Sequence, residues 1–463
     1  MKTTTMKEHL LVLTVCLMGV APLYGQKQTP PEGGPAKSFT VPASEAYVLP
    51  NGLKVTLVPY GVLPKAAVSL TVDAGSLNEG KAQAGVASLE GNFFREGTAT
   101  LSSRQLAEAA AGMGSTLTVP VSEDQTKFEL DVLQEFAPAA VRLVADVAEH
   151  PGFPETELAR LKNDALRNIV LQLSQPQTIA EIRFRKLVYG EHPYGTVVPT
   201  EEDVKKLTLQ DVKGYYAANF GAQRAHLYVA GKFDVAAVKQ AIAESFGGWG
   251  KGPERVENVP TEKAHRVVDV TDRPDAPQST LKLGLPVATP ISVDTIPLIV
   301  TDALLGGSFG SRITSNIREQ KGYTYSPYSE ISQRYHDAYW AQNADVTTQF
   351  TGASLKEIFS EIARLQNEAP GTAELKGIQR YLSGLFVIRN SSRGALISQL
   401  EYVDLQGLGE SYLQNYVQRV NAVTPEEVRK LTQKYIRPEE MVIVVVGDKA
   451  KISEQLAPFQ GGK

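Results

Sequence analysis

One constant shift along the chain, the shift that carries Thr208 onto Thr424, lays the end of its first half on the end of its second. Under it Val212 falls on Val428 and Gly231 on Gly447. The run Leu227-Tyr228-Val229-Ala230-Gly231 falls on Ile443-Val444-Val445-Val446-Gly447. A repeat of this length constrains the architecture before any single element does. The 463 residues read as two copies of one unit of roughly 200 residues rather than as unrelated domains.

Within each copy, strands come in meander-like clusters and helices in separate groups, the pattern of an α+β fold with antiparallel sheets. In the first copy strands are expected at 46–49 and 53–58, joined by a turn at Asn51-Gly52, and at 67–72, 115–121, 127–132 and 224–231. Helices are expected at 83–96, from the Ser102/Gln105 capping box to about 112, through most of 136–220, and at 235–246. In the second copy strands are expected at 267–270, 279–285, 323–332, 338–346 and 441–446. Helices are expected there at 294–305 and 312–321 and through 355–435. The resulting division is a signal peptide at 1–25, a flexible linker at 26–43 and a first domain at 44–250. An interdomain linker at 251–265, a second domain at 266–450 and a tail at 451–463 complete it.

Hydrophobic residues make up 42% of the chain and charged residues 21%, which places it among ordinary globular proteins. No basic run or stripe argues for a nucleic-acid partner. Lys2 and Lys7 precede an apolar run over 10–21 that is short for a bilayer span, so the segment 1–25 reads as an export signal with cleavage after Gly25. The expected location is therefore periplasmic or secreted, with no transmembrane span after signal removal; a membrane anchor is the other reading. The lone cysteine, Cys16, lies in that run. A processed chain would hold no disulfide, no thiolate metal site and no cysteine nucleophile.

The stretch from Leu304 to Ser329 carries the chemistry. A Gly pair is followed by a short amphipathic helix in which Ile313 and Ile317 share one face, with Ser311 as N-cap and Gly322 as stop. Tyr323 and Tyr325 then alternate with Thr324 at strand period. Arg318 at the helix end and Tyr325 beyond the reversal can aim at one point. Arg312 and Tyr323 are alternates. Arg318 can equally solvate the helix end, and Tyr325 can be a core aromatic.

Together with Asn51-Gly52-Leu53, residues 85–98 and the loop Gly190-Glu191-His192-Pro193-Tyr194-Gly195, this stretch resembles the pitrilysin/insulinase family of zinc metallopeptidases. The two-domain subunits of processing proteases are the nearest shape. The resemblance implies two α+β domains, each a sheet backed by helices, set like clam shells around a cavity for unfolded peptides. Active members carry an inverted H-x-x-E-H motif, with two histidines one helical turn apart on the metal and the glutamate as base. Here the frame is present and the ligands are not. The histidine positions fall on Ser88 and Asn92, the base on Gly91, and the distant glutamate on Asn168. Glu90 is one residue out of place, about 100° around the helix, and reads as an exposed helical carboxylate. His150, His192, His226, His265 and His336 are too scattered to form a helical pair. No metal or other cofactor is therefore expected on this chain, and on its own it is not expected to be a peptidase.

In the resembling enzymes an arginine and a tyrosine of the second domain face the zinc and stabilise charge on the attacked carbonyl; Arg318 and Tyr325 correspond to them. The resemblance thus implies a silent subunit that supplies Arg318 and Tyr325 in trans to a zinc-bearing homologous partner and binds unfolded peptide. A stand-alone peptide-binding or envelope scaffold is the alternative. An autonomous peptidase with an unrecognised metal site is a third reading.

Overall fold

Asn51 and Gly52 reverse the chain as expected, and the Asn51 side chain fixes the turn by donating to the carbonyls of Phe246 (2.7 Å) and Trp249 (3.0 Å). The computed structural model describes residues 40–261, 265–409 and 411–460. The expected signal peptide, Cys16 and most of the 26–43 linker lie outside the described residues. The first half runs β1 (Glu45–Val48), β2 (Lys54–Pro59), β3 (Lys65–Val72), α1 (Val86–Phe93), α2 (Ser103–Gly112), β4 (Thr126–Leu133), α3 (Ala137–Glu149), α4 (Glu155–Leu173), α5 (Pro176–Tyr189), α6 (Glu201–Lys206), α7 (Leu209–Asn219), β5 (Ala225–Gly231) and α8 (Val235–Phe246). The second runs β6 (Val267–Asp272), β7 (Gln278–Pro286), α9 (Thr295–Leu305), α10 (Arg312–Thr314, continuing as a π turn, Ser315–Gln320), β8 (Tyr328–Arg334), β9 (Asp337–Thr347), α11 (Thr351–Asn367), α12 (Thr372–Arg389), α13 (Arg393–Leu405), α14 (Ser411–Ala422), α15 (Pro425–Tyr435), β10 (Val442–Gly447) and α16 (Lys449–Leu456).

The described residues form two five-stranded sheets, ordered β1-β2-β5-β3-β4 and β6-β10-β7-β9-β8. Each contains one parallel pair, β2 with β5 and β6 with β10; the other pairings are antiparallel, as expected. The shift that carries Thr208 onto Thr424 extends beyond the strands and caps that revealed it. It lays α4 on α12, α5 on α13, α7 on α15 and β5 on β10. Thr208 and Thr424 are both N-caps, each accepting from the amide three residues on at 3.2 Å.

Three expectations are corrected. Residues 115–121 do not make a strand: only isolated bridges, Thr118 with Glu129 and Val121 with Thr126, tie them to β4. Pro120 has no N–H to give a ladder. The strand expected from Tyr323 begins at Tyr328, because Pro327 interrupts it and only Thr324 bridges to Val346. The expected tail includes α16, whose Ile452 and Leu456 are fully buried in the second core. It is the counterpart of α8.

Each sheet packs its own helices on one face and one helix of the other half on the opposite face. Strand β10 shows this residue by residue. Ile443 and Val445 point into the second core, while Val442, Val444 and Val446 point to Phe184, Val188 and Tyr189 of α5. A strand covered on both faces needs an unbroken apolar run, which is what Val442–Val446 is. Reciprocally, Leu396, Ile397 and Leu400 of α13 cover Val58, Ala67, Tyr228 and Ala230 on the first sheet. Each large apolar side chain among them contributes about 1.5–3 kcal/mol on burial.

Buried polar contacts fix the register of both exchanged helices. Glu401 of α13 accepts from Ser69 (2.9 Å) and Thr71 (2.7 Å) and pairs with Lys127 (2.5 Å). Glu181 of α5 pairs with the buried Lys282 of β7 at 2.9 Å. His226 joins Thr56 (2.8 Å) to Asp404 of α13 (3.1 Å). Glu401→Ala leaves Ser69, Thr71 and Lys127 facing a buried gap. It is expected to destabilise the protein by about 3 kcal/mol, measured by urea denaturation against wild type.

Candidate functional site

Helix α1 carries the metal-motif frame, and its chemistry is that of a packed helix. Gly85, just before it, and Ala87 in its first turn donate their amides to Glu79, both at 3.0 Å, so a carboxylate caps the positive helix end. Burial pushes Glu79 up to about 7 against those hydrogen bonds. Ser88 is exposed and Asn92 half-buried. The Asn92 side chain is committed locally: Nδ2 donates to the Ser88 carbonyl (3.0 Å) and Oδ1 accepts from Arg95 (2.6 Å). Asn168, on α4, is exposed.

Gly91 stands where the family's base stands. A Cβ built there would overlap Val121 Cγ2, so the space that the base would occupy is filled by a valine. An alcohol, two carboxamides and a glycine under a valine do not make a zinc set. Among the described residues no group of three or more His, Cys, Asp and Glu side chains is placed to hold a metal. The residues present do not fit the family's metal.

Glu90 is not the exposed carboxylate expected from its helical position. It is fully buried, and neither carboxylate oxygen has a hydrogen-bond partner. Burial alone pushes its pKa well above the ordinary 4.5. The physical reason is rotation: one residue from the metal-facing position, the side chain enters the core instead of the cradle.

The second part of the candidate site does come together. The Arg318 guanidinium lies 5.0 Å from the Tyr325 ring centroid and 4.3 Å from that of Phe309. Two aromatic faces thus hold one cation. Arg318 also approaches Glu319 at 3.4 Å. Phe309 and Tyr325 are 71% and 79% exposed, so this is a surface arrangement and not a core cluster. The backbone beneath it is unusual. The expected α-helix widens into a π turn over Ser315–Gln320, closed by Lys321 N donating to Asn316 O (3.0 Å). Such turns are rare and recur at functional sites. Gly322 ends it at φ +65°, as a stop in the left-handed region requires. Ile313 and Ile317 are fully buried and anchor the segment. Ser311 occupies the N-cap position, but its hydroxyl goes to Thr314 Oγ1 (3.0 Å) instead of a backbone amide.

The alternates belong to the scaffold. Arg312 makes a two-pronged pair with Glu374 (2.8 and 2.9 Å), and Tyr323 stacks on Phe350 at 4.5 Å. His192 serves its loop, accepting from Tyr194 N at 3.2 Å.

Two hollows lie near these regions. One, of about 210 Å³, is lined by Ser88, Glu79 and Val121. The other, of about 290 Å³, lies between α5 and the second sheet and is lined by Ser326, Tyr328, Glu181 and Glu330. Val197 lines both, so the metal-motif frame and the Tyr325 segment border adjoining spaces. Sequence reasoning missed Phe309 and Val121. An aromatic between the glycines of the same stretch was a signal for Phe309. Nothing in the sequence paired Val121 with Gly91.

Comparison with known proteins agrees with this geometry. The family described as insulinase (peptidase family M16) matches residues 59–198, and peptidase M16 inactive domain matches 206–382. This chain belongs to the pitrilysin/insulinase family, as an inactive homologue whose zinc-motif positions carry other residues. It is 27% identical over 400 residues to the uncharacterized zinc protease YmxG of Bacillus subtilis, covering 84% of this chain and 94% of that protein. To the non-peptidase homolog YmxG of Helicobacter pylori it is 23% identical over 397 residues, covering 84% and 90%. The crystal structure of a peptidase M16 inactive domain from Pseudomonas fluorescens superposes with a TM-score of 0.81 at 25% identity, over 87% of this chain and 98% of that one.

Two outcomes test the reading of α1. Gly91→Ala is expected to cost about 1–3 kcal/mol by overpacking, with Val121→Ala recovering at least half of the loss in a double-mutant cycle. Glu90 keeps its proton in the folded state to higher pH than in the unfolded chain. Its contribution to stability is therefore full below the ordinary carboxyl range and is lost as pH rises above it. The stability of Glu90→Gln minus that of wild type should accordingly be smallest near about pH 4 and grow toward about pH 8, read by urea denaturation across that range.

Proposed function

We propose that this chain is the non-catalytic subunit of a zinc metallopeptidase, gripping extended peptide while a zinc-bearing homologous partner performs the hydrolysis. The observation that carries this reading is the contrast between the two halves. Arg318 is held half-buried at the surface between the exposed Phe309 and Tyr325, while the cradle of the same chain is closed by Val121 over Gly91. A guanidinium with a phenol beside it can donate to a peptide carbonyl that gains negative charge during attack. Two aromatic faces keep the guanidinium oriented with no buried carboxylate to neutralise it.

The hollow bordered by Ser326 and Tyr328 supports the peptide-binding part of the proposal, because it adjoins this segment and opens between the halves. Export to the periplasm or beyond is part of the same proposal and rests on residues 1–25. Among the described residues no helix is long and apolar enough to cross a membrane.

The test is reconstitution with a homologue that carries H-x-x-E-H. Peptide cleavage by the pair should fall about 100-fold with Arg318→Ala and by a smaller factor with Tyr325→Phe. Phe309→Ala is expected to act through Arg318 and to raise KM more than it lowers kcat. All three side chains are exposed or half-buried, so unfolding temperatures should hold. If cleavage by the pair is indifferent to both Arg318 and Tyr325, trans-catalysis is wrong, and a peptide-binding scaffold without proteolysis takes its place.

A further inference from the structure

The second half contains a hollow of about 320 Å³ between α9, β8, α12, α13 and α14. Its place in the fold is informative. Strand β3 leads into α1, and β7 leads into α9. Helix α12 is the repeat counterpart of α4, which carries Asn168. The hollow therefore sits in the second half where the metal-motif frame sits in the first.

Its lining is of two kinds. Phe386, Tyr402, Tyr412 and Tyr416 supply aromatic walls. Phe386 stacks on Tyr416 (4.3 Å, 16°), and Tyr412 stands at 56° to Tyr416 and 49° to Tyr402. Among these rings stand the buried polar atoms Gln333 Nε2, Asn390 Oδ1 and Tyr402 OH. The Tyr402 hydroxyl stands beside Gln333 and Tyr412 and interacts with both, so its own need is met within the chain by those neighbours. Asn390 is only 4% exposed, and its Nδ2 donates to the Phe386 carbonyl at 2.7 Å. That bond fixes the amide orientation and leaves Oδ1 as the unused acceptor.

Buried polar atoms are normally paired, and each exception asks for a partner. One bridging water takes about 30 Å³, a tenth of this volume, whereas ligand pockets begin near about 300 Å³. The charged lining groups do not call for an ion. Asp302 already accepts from Trp340 (2.7 Å) and Ser329, and Arg389 is solvent-exposed. What remains is the second N–H of Gln333, the Asn390 Oδ1 acceptor and a set of ring faces.

We propose that this hollow binds a neutral aromatic amide, its ring against Tyr412 and Tyr416, its N–H to Asn390 Oδ1 and its carbonyl to Gln333 Nε2. The ligand is either a free small molecule or an aromatic residue within a peptide. The peptide source rests on the peptide-binding function above; the site itself does not, since it needs no partner subunit.

The test titrates the full chain with N-acetylphenylalaninamide, with N-acetylleucinamide, and with an acetylated, amidated alanine peptide holding one central phenylalanine, by calorimetry. The phenylalanine amide should bind saturably and at least about tenfold more tightly than the leucine amide, a difference of about 1.4 kcal/mol. Asn390→Leu and Tyr412→Leu should each weaken it about tenfold or more. Should Asn390→Leu fail to fold, Gln333→Leu makes the same test from the donor side. Binding of both the peptide and the free amide identifies a peptide site, and binding of the free amide alone identifies a small-molecule site. The proposal is overturned by absence of saturable binding up to about 10 mM, by equal affinity for the leucine amide, or by folded variants that bind as wild type does.

Discussion

The exchange of α5 and α13 between the halves is the constraint on which the rest of this structure depends. Neither sheet is complete with its own helices. Val442, Val444 and Val446 on one, and Val58, Tyr228 and Ala230 on the other, are packed against a helix from across the repeat. Because the faces are apolar, separation would expose two sheet surfaces at once. Because Glu401 and Lys282 sit at those contacts with their partners, sliding would leave buried charges unpaired. The halves are consequently held at one relative position. The two neighbouring hollows that both touch Val197 follow from that fixed geometry.

On this common scaffold the two halves differ in what they present. In the first, every position that would face a metal is neutral, and Val121 has closed over Gly91. The acidic residue one place away, Glu90, is a core group whose carboxylate oxygens have no hydrogen-bond partner. In the second, a backbone departure survives: the π turn over Ser315–Gln320 projects Arg318 between two exposed rings. Exposed aromatics and a widened turn are features that packing alone does not favour. Their presence in a chain whose own cradle is closed is the contrast on which the proposed subunit role rests.

Much of this is legible in residues because it depends on local rules. The repeat is visible through Thr208 and Thr424, whose hydroxyls cap equivalent helices, and through the apolar runs ending at Gly231 and Gly447. The loss of the metal set is visible because a spacing motif names its positions. Features that depend on contacts distant in sequence are not visible. The burial of Glu90 is hidden because helical rotation tells which way a side chain leaves its own helix, not what waits there. The 115–121 segment alternates like a strand, yet Pro120 cannot complete a ladder. The exchange of helices leaves only one trace, the unbroken apolar run of β10, which a buried strand of any kind would show.

The exchange also has a temporal side. Strand β5 ends at Gly231, whereas α13 is not complete until Leu405. At about 5–20 residues per second, the apolar face of the first sheet waits roughly 10–30 s for the helix that will cover it. Throughout that interval the nascent chain presents Val58, Ala67, Tyr228 and Ala230 to whatever is near. A chain truncated before Arg393 would leave that apolar face without the helix that packs on it.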